Sequence, residues 1–273
     1  MKKLILSLFF AVALISCNTK PYVVVQVADI QLGFDAAVKG SVPGAEYVND
    51  LTFEAEYLKK TVAAINEIKP DAVVFTGDQV HRPDNEEQWN LFAEIISDID
   101  SSVKVLHVPG NHDHYLSGGS IDPEPFTSRY GEDHFVHRDK GVALVGVNTS
   151  LIYFNDPRES EQFEWLSSAL KKEDEADVTL VFGHHPYFFN DIDETEGHGQ
   201  IDITKRHAYF DLFKDMGVGA VYAGHMHESG YGEYEGIPMR TQTSAAYQLG
   251  ESQASIRIIT VNKDGIEDDT YLL

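Results

Sequence analysis

The stretch V-K-V-L-H-V-P-G-N-H-D-H, Val103 to His114, decides how this chain is read. An apolar run with strand character breaks at Pro109-Gly110 and delivers Asn111, His112, Asp113 and His114 in succession. Four polar side chains at the end of a strand suit a site better than a core.

Four more stretches repeat the arrangement. Val23–Val27 leads to Asp29-Ile30-Gln31, and Ala72–Phe75 leads to Gly77-Asp78-Gln79-Val80-His81. Val178–Phe182 leads to Gly183-His184-His185-Pro186, and Val218–Tyr222 leads to Gly224-His225-Met226-His227. Segments with helical spacing lie between the runs: Leu51, Ala55, Leu58, Val62 and Ile65, then Phe163, Leu166 and Leu170. Trp89, Phe92, Ile95 and Ile99 show the same spacing and read as core. Strands alternating with helices predict an α/β chain with a largely parallel sheet. Ligands of such sheets bind outside the carboxyl ends of the strands, so the five polar packets are expected to converge. Ile256–Val261, a turn over Asn262–Gly265 and Asp269–Leu272 read as a C-terminal hairpin.

The first residues read as a processing signal. Lys2 and Lys3 precede the apolar run Leu4–Ile15, which is short of the roughly 20 residues a spanning helix needs. Leu14-Ile15-Ser16-Cys17 resembles the bacterial lipobox, in which the Cys becomes the lipid-modified first residue. The expectation is a lipoprotein signal over 1–16, a short tether over 17–21 and one domain over 22–273, anchored to the bacterial cell envelope on its periplasmic or outer surface. The alternatives are a signal with a chance Cys and an uncleaved anchor. Cys17 is the only Cys, so the mature domain forms no internal disulfide. Formal net charge is −23, and removal of Lys2 and Lys3 makes it −25. Such a surface repels nucleic acid and anionic lipid, and an anionic substrate then needs local positive charge. Nucleic acid is therefore excluded as a partner, and membrane contact is expected only through lipid on Cys17.

Asp29, Asp78, Asn111, His184, His225 and His227 are oxygen and imidazole donors, the set that suits zinc, iron and manganese. Taken singly, each is equally a capping or hydrogen-bonded residue. Together, at five strand ends, they point to bound metal.

In this order the packets resemble the calcineurin-like metallophosphoesterases, over nearly the whole mature chain. The likeness extends to a serine/threonine phosphatase branch through Asp29-x-Gln31, Gly77-Asp78-x-x-His81, the acidic loop Asp191-Ile192-Asp193-Glu194, and Ser244-Ala245 followed by Gln248-Leu249-Gly250. The resemblance implies a four-layer α-β-β-α sandwich and two divalent or mixed-valence ions (Fe, Mn or Zn). It implies Asp78 as the bridge, Asp29 and His227 on the first ion, and Asn111, His184 and His225 on the second. His184 is chosen over His185 because the family ligand lies two residues before the Pro, here Pro186. Two cations about 3.5–4 Å apart clamp a phosphoryl group and ionise a bridging water. The expected reaction is attack of that hydroxide on a phosphate monoester, with His112 as general acid oriented by Asp113. Asn111 and His114 are candidate substrate contacts.

Position 31 departs from the family, which places His there. Either the first site is weak or empty, leaving a one-metal or crippled enzyme, or His81, three residues after Asp78, compensates while Gln31 serves as a loose ligand or holds a water. Tyr187–Glu196 is read either as a lid over the site or as a solvated loop with its aromatics buried. Arg240 is read as a salt-bridge partner, with substrate contact the alternative. The substrate is expected to be a small phosphate ester or a phosphoprotein. Phosphodiesterase action, on a cyclic nucleotide or other diester, and a metal-binding lipoprotein with little catalysis stand as alternatives.

Overall fold

The computed structural model describes residues 20–172, 176–195, 197 and 199–273. The signal peptide and Cys17 lie outside the described residues. The first third runs β1 (Tyr22–Val27), α1 (Phe34–Gly40), α2 (Thr52–Ile68), β2 (Ala72–Thr76), α3 (Glu86–Ile96) and β3 (Lys104–Val108). A small hairpin follows, β4 (Tyr115–Ser117) and β5 (Ser120–Asp122), then α4 (Glu124–Tyr130), β6 (Phe135–Asp139) and β7 (Val142–Gly146). Next come α5 (Thr149–Tyr153), α6 (Glu159–Lys172), β8 (Val178–Phe182), α7 (Ile203–Asp215) and β9 (Val218–Ala223). The chain closes with β10 (Gly230–Tyr234), β11 (Ile237–Thr241), β12 (Ser255–Asn262) and β13 (Gly265–Leu272).

Local chemistry accounts for the helix ends. Asn85 accepts hydrogen bonds from the amides of Glu87 and Gln88 to start α3, and Asp202 accepts one from Thr204 to start α7. Lys69, left-handed at φ 53°, closes α2 just before Pro70.

Apart from the β4-β5 hairpin, which pairs only with itself, the described strands form two mixed sheets rather than the single, largely parallel one that alternation alone predicts. Their orders are β13-β12-β1-β2-β3 and β10-β11-β9-β8-β7-β6. Parallel pairing is confined to β1-β2-β3 and β7-β8-β9-β11. Antiparallel β6, β10, β12 and β13 flank these blocks, a distinction that strand spacing does not encode. The C-terminal hairpin is longer than its pattern suggested: Gly265 already pairs with Asn262, so only Lys263 and Asp264 form the turn.

Three apolar cores define the layers. Val24, Val74 and Leu106 meet Leu144, Phe182 and Tyr222 between the sheets. Val25, Val73 and Phe75 pack outward on Leu58, Val62 and Phe92 of α2 and α3. Val145, Val181 and Val221 pack outward on Leu166, Leu170, Phe210 and Phe213 of α6 and α7. The result is the four-layer α-β-β-α sandwich. Gln26, fully buried, ties the sheets together near one rim, its amide donating to the Ala223 carbonyl (2.8 Å) and to Thr76 Oγ1 (3.2 Å). The carboxyl ends of β1, β2, β3, β8 and β9 all open onto this rim.

Candidate metal centre

The loops leaving β1 and β2 keep pairing past their strands: Asp29 N donates to Gly77 O, Gln31 N to Asp78 O, and Leu32 N to Gln79 O. This sets Asp29 and Asp78 side by side. From β8, His184 comes between them: its Nε2 lies 3.4 Å from Asp78 Oδ2, and its Nδ1 lies 3.9 Å from Asp29 Oδ1. Asn111 Oδ1, after β3, is 3.1 Å from His184 Nε2, and His225 Nδ1, after β9, is 3.2 Å from the same atom. His227 Nε2 is 3.8 Å from Asp29 Oδ1. Six residues spread over two hundred positions thus converge.

Two of the three rings are fixed from behind. His184 Nδ1 donates to the Thr76 carbonyl at 2.9 Å, and His227 Nδ1 to the Tyr247 carbonyl, which leaves both Nε2 atoms facing inward. Asp29 Oδ2 accepts from His225 N (2.9 Å), and Ser244 Oγ donates to the Asp29 carbonyl (2.7 Å). Among the described residues nine non-glycines have positive φ, and five of them are here: Asp29, Gln31, Asp78, His225 and His227. Such backbone costs on the order of 1–3 kcal/mol per residue and persists only where its surroundings impose it. Space is equally tight: a Cβ on Gly110 would stand 2.1 Å from Asp78 Oδ1, and one on Gly77 would stand 2.4 Å from His184 Nδ1.

The electrostatics suit cations. Burial pushes the Asp29 carboxyl up, only partly offset by His184 and His227. Burial acts the same way on Asp78, but His184, His112 and His225 together hold it well below the usual range. Burial opposes a charge on His184, yet Asp78 and Asp29 lift it to about 9, so the buried carboxylates hold a positive charge in their midst. Burial and the neighbouring His184 push His225 down to about 3, leaving it neutral and able to ligate. Asp29 Oδ1 and Gln31 Oε1 are buried and accept no hydrogen bond among the described residues. Orphaned carboxylate and amide oxygens beside imidazole nitrogens, that of His225 held neutral, are the donor set of a hard or borderline metal ion. The residues therefore fit the implied ions.

Other expected site residues are placed differently. His112 N donates to Asp78 Oδ1 (2.9 Å), and His112 Nδ1 donates to the His81 carbonyl (2.9 Å), leaving Nε2 without a hydrogen bond among the described residues. Asp113, expected to orient His112, does not. Its Oδ2 accepts from Gly110 N (2.8 Å) and its Oδ1 from Gln79 N (2.9 Å) and Val80 N (3.2 Å), so it clamps the loops after β2 and β3 together. The His81 ring stacks on His112 at 4.8 Å and lies with Nδ1 3.4 Å from Gln31 Nε2, backing Gln31. His114, a candidate substrate contact, is 2 % exposed, with both ring nitrogens unpartnered among the described residues. His185 is brought in although its packet role was not foreseen: a ring nitrogen lies within 4.8 Å of those of His184 and His225.

Tyr187 and Phe188 are core, and Glu194 folds its loop back by accepting from the amides of Phe189, Asn190 and Asp191. The described part of the expected lid is therefore closed on itself. Arg240 pairs with Asp268 at 3.6 Å. Thr149 escaped the sequence reading: its Oγ1 accepts from both His184 N and His185 N at 2.8 Å. Its signal was available, because Val142–Gly146 leads to Asn148-Thr149-Ser150 like the other packets.

Comparison with known proteins places the chain in a family. A family model described as calcineurin-like phosphoesterase matches residues 22–229. The serine/threonine-protein phosphatase CPPED1 of Danio rerio is 28% identical over 259 residues, covering 90% of this chain and 83% of that protein. A probable cyclic nucleotide phosphodiesterase of Rhodococcus erythropolis is 26% identical over 191 residues, covering 66% of this chain and 58% of that one. Among solved structures, the purple acid phosphatase PPD1 of yellow lupin superposes with a TM-score of 0.65 at 14% identity, covering 93% of this chain and about half, 53%, of its own. A dimetal phosphatase of Danio rerio superposes with a TM-score of 0.61 at 16% identity, covering 93% of this chain and 99% of its own. A family model spanning most of the chain, on a sandwich whose rim gathers these Asp, Asn and His side chains, shows that the chain belongs to the calcineurin-like phosphoesterases, a metal-dependent family.

Proposed function

We propose that this chain hydrolyses phosphate monoesters at a dinuclear centre. The observation that carries the reading is the meeting of Asp29, Asp78, Asn111, His184, His225 and His227 around an orphaned Asp29 oxygen, with His112 oriented at the edge. Asp29, Asp78, His227 and the side-chain Oε1 of Gln31 would hold one ion. Asp78, Asn111, His184 and His225 would hold the other. Bound ions supply the charge that holds phosphoryl oxygens and lowers the pKa of water.

The chain's own residues do the rest. Thr76 and Tyr247 carbonyls fix the ring faces of His184 and His227, so the pocket is organised before substrate arrives. Asn111 carries its amide at the rim, beside His112. The His81 carbonyl takes the Nδ1 proton of His112, so a proton carried on Nε2 points to the leaving oxygen of the ester. Asp29, Asp78, His184 and His227 are buried, which keeps bulk water from the inner side of the site.

The test is turnover of p-nitrophenyl phosphate against its bis-ester by the metal-loaded protein. Monoester preference, with kcat lowered about 10²–10⁴-fold in His112→Ala at unchanged metal content, is the expected result. Preference for the bis-ester favours a diesterase, the activity in the name of the Rhodococcus relative. Bound metal without turnover makes the chain a metal-binding lipoprotein. A cell-envelope location, with lipid on Cys17, rests on the Leu14-Ile15-Ser16-Cys17 sequence. Incorporation of labelled fatty acid, lost in Cys17→Ser, tests it. An exported protein meets small phosphate esters more readily than phosphoproteins.

A further inference from the structure

An aromatic strip leaves the metal centre on the His227 side. It begins at Phe34, the first residue of α1, which is pinned from behind. Buried Glu54 of α2 accepts from the amides of Gly33 (3.4 Å) and Asp35 (2.6 Å) and so fixes the start of that helix. The Phe34 ring lies 5.4 Å from the rings of both His81 and His227 and meets Tyr247 edge-on at 4.9 Å. Tyr247 continues to Phe53 at 5.9 Å, and Phe53 to Tyr57 at 5.2 Å. All four rings are half-exposed. Beside them lies a cavity of about 590 Å³, lined by Phe53, Tyr57, Tyr247, Gln248, Gln253 and Ala254.

Half-exposed aromatic rings beside a centre of carboxylates and imidazoles have no use in the core and none in the hydrolytic step. Their cavity falls in the range of small-molecule sites, about 300–1,000 Å³. Charge defines what fits. Its whole lining, Ala246, Leu272 and Leu273 included, carries no Asp, Glu, Lys, Arg or His side chain, in a chain of net charge −23, so a second anionic group gains nothing from the lining. Lys60, over the Tyr57 ring at 4.4 Å, stands at the far end. Flat apolar faces take a flat neutral group, and Tyr hydroxyls with the Gln253 amide offer hydrogen bonds to a heteroaromatic edge. Phe34 is the strip's end at the centre, and Tyr247, Phe53 and Tyr57, which line the cavity, lie beyond it, so the ring recognised there is one spacer away from the phosphoryl group. A sugar supplies that spacer; a simple aryl phosphate has none.

Resting on the phosphoesterase reading above, we propose that Phe34, Tyr247, Phe53 and Tyr57 form a leaving-group subsite for the base of a nucleoside phosphate. The test compares 5′-AMP, glycerol phosphate and p-nitrophenyl phosphate on full-length, manganese-loaded protein and its Phe53→Leu and Tyr57→Leu variants, each first shown to melt like the parent. The expected result is a parent that prefers 5′-AMP. Its ratio of kcat/KM for 5′-AMP over glycerol phosphate falls about tenfold in each variant, in the range found for loss of one base-stacking ring. A ratio unchanged in both variants overturns the proposal, as does an equal fall for p-nitrophenyl phosphate, which would make the strip an aryl site. If no ester is hydrolysed, the phosphoesterase reading fails, and equilibrium dialysis with adenosine still decides the subsite. Binding weakened by Tyr57→Leu upholds it, and absence of binding overturns it. A variant that does not melt like the parent is replaced by Phe53→Met or Tyr57→Met, read in the same way.

Discussion

Replacing Asp113 separates a structural carboxylate from a catalytic one. It is fully buried, and its two oxygens take the amides of Gly110, Gln79 and Val80. Burial and the charge of Asp78 push its carboxyl well up, while the amide donors pull the other way. Asp113→Ala leaves three buried donors without an acceptor. Each orphaned group costs about 1–3 kcal/mol, and relaxation keeps the sum below simple addition, so a loss of about 3–5 kcal/mol is expected. That is a large part of the roughly 5–15 kcal/mol that holds a domain folded. Asp113→Asn keeps Oδ1 for Gln79 and Val80 but sets an NH₂ against the Gly110 amide, for a loss of about 2 kcal/mol. At roughly 2–4 °C per kcal/mol for a chain of this size class, melting falls by on the order of 10 °C in the Ala variant and by about half that in Asn. The assays are thermal and urea unfolding by circular dichroism, alongside kcat and its pH profile on the folded Asn protein. Stability near the parent's with a profile reshaped around His112 would refute the clamp and return Asp113 to the orienting role.

Two further expectations concern neighbouring groups. His81→Ala keeps the backbone carbonyl that holds His112 and removes only the ring behind Gln31, so both ions should remain while the first binds about tenfold more weakly. Metal analysis and competition titration check this; one ion per chain would make His81 a direct ligand, and unchanged affinity would leave it a packing residue. Asp156 accepts from Ile121 N, Ser120 Oγ, Arg158 N and Arg158 Nε, clasping the β4–β5 hairpin. Burial raises its carboxyl, but Arg158 and the amides outweigh this and hold it down to about 2. A folded value below the unfolded 3.8 stabilises the protein fully above about pH 4, and the effect fades as pH falls through about 2. Asp156→Ala should therefore cost about 2 kcal/mol at pH 6 and far less near pH 2; an equal loss at both, by urea unfolding, would sink the linkage.

The sequence by itself determined the chemistry on offer. Donor types at strand ends, the helical faces of α2 and α6, and the Gly residues at the turns are local features, written in residue type and period. Convergence of the packets followed from alternation, because parallel strands bring their carboxyl ends to one side. Partnership is another matter. Asp113 and His112 are adjacent in sequence, yet Asp113 turns to amides more than thirty residues back, and His112 to a carbonyl at the same remove. Thr149 meets His184 across thirty-five positions, and Phe34 meets Tyr247 across most of the chain. Two sheets rather than one, the role of each second-layer residue and the aromatic strip were decided only by tertiary structure, because hydrogen-bond geometry and ring packing depend on which loops share a rim.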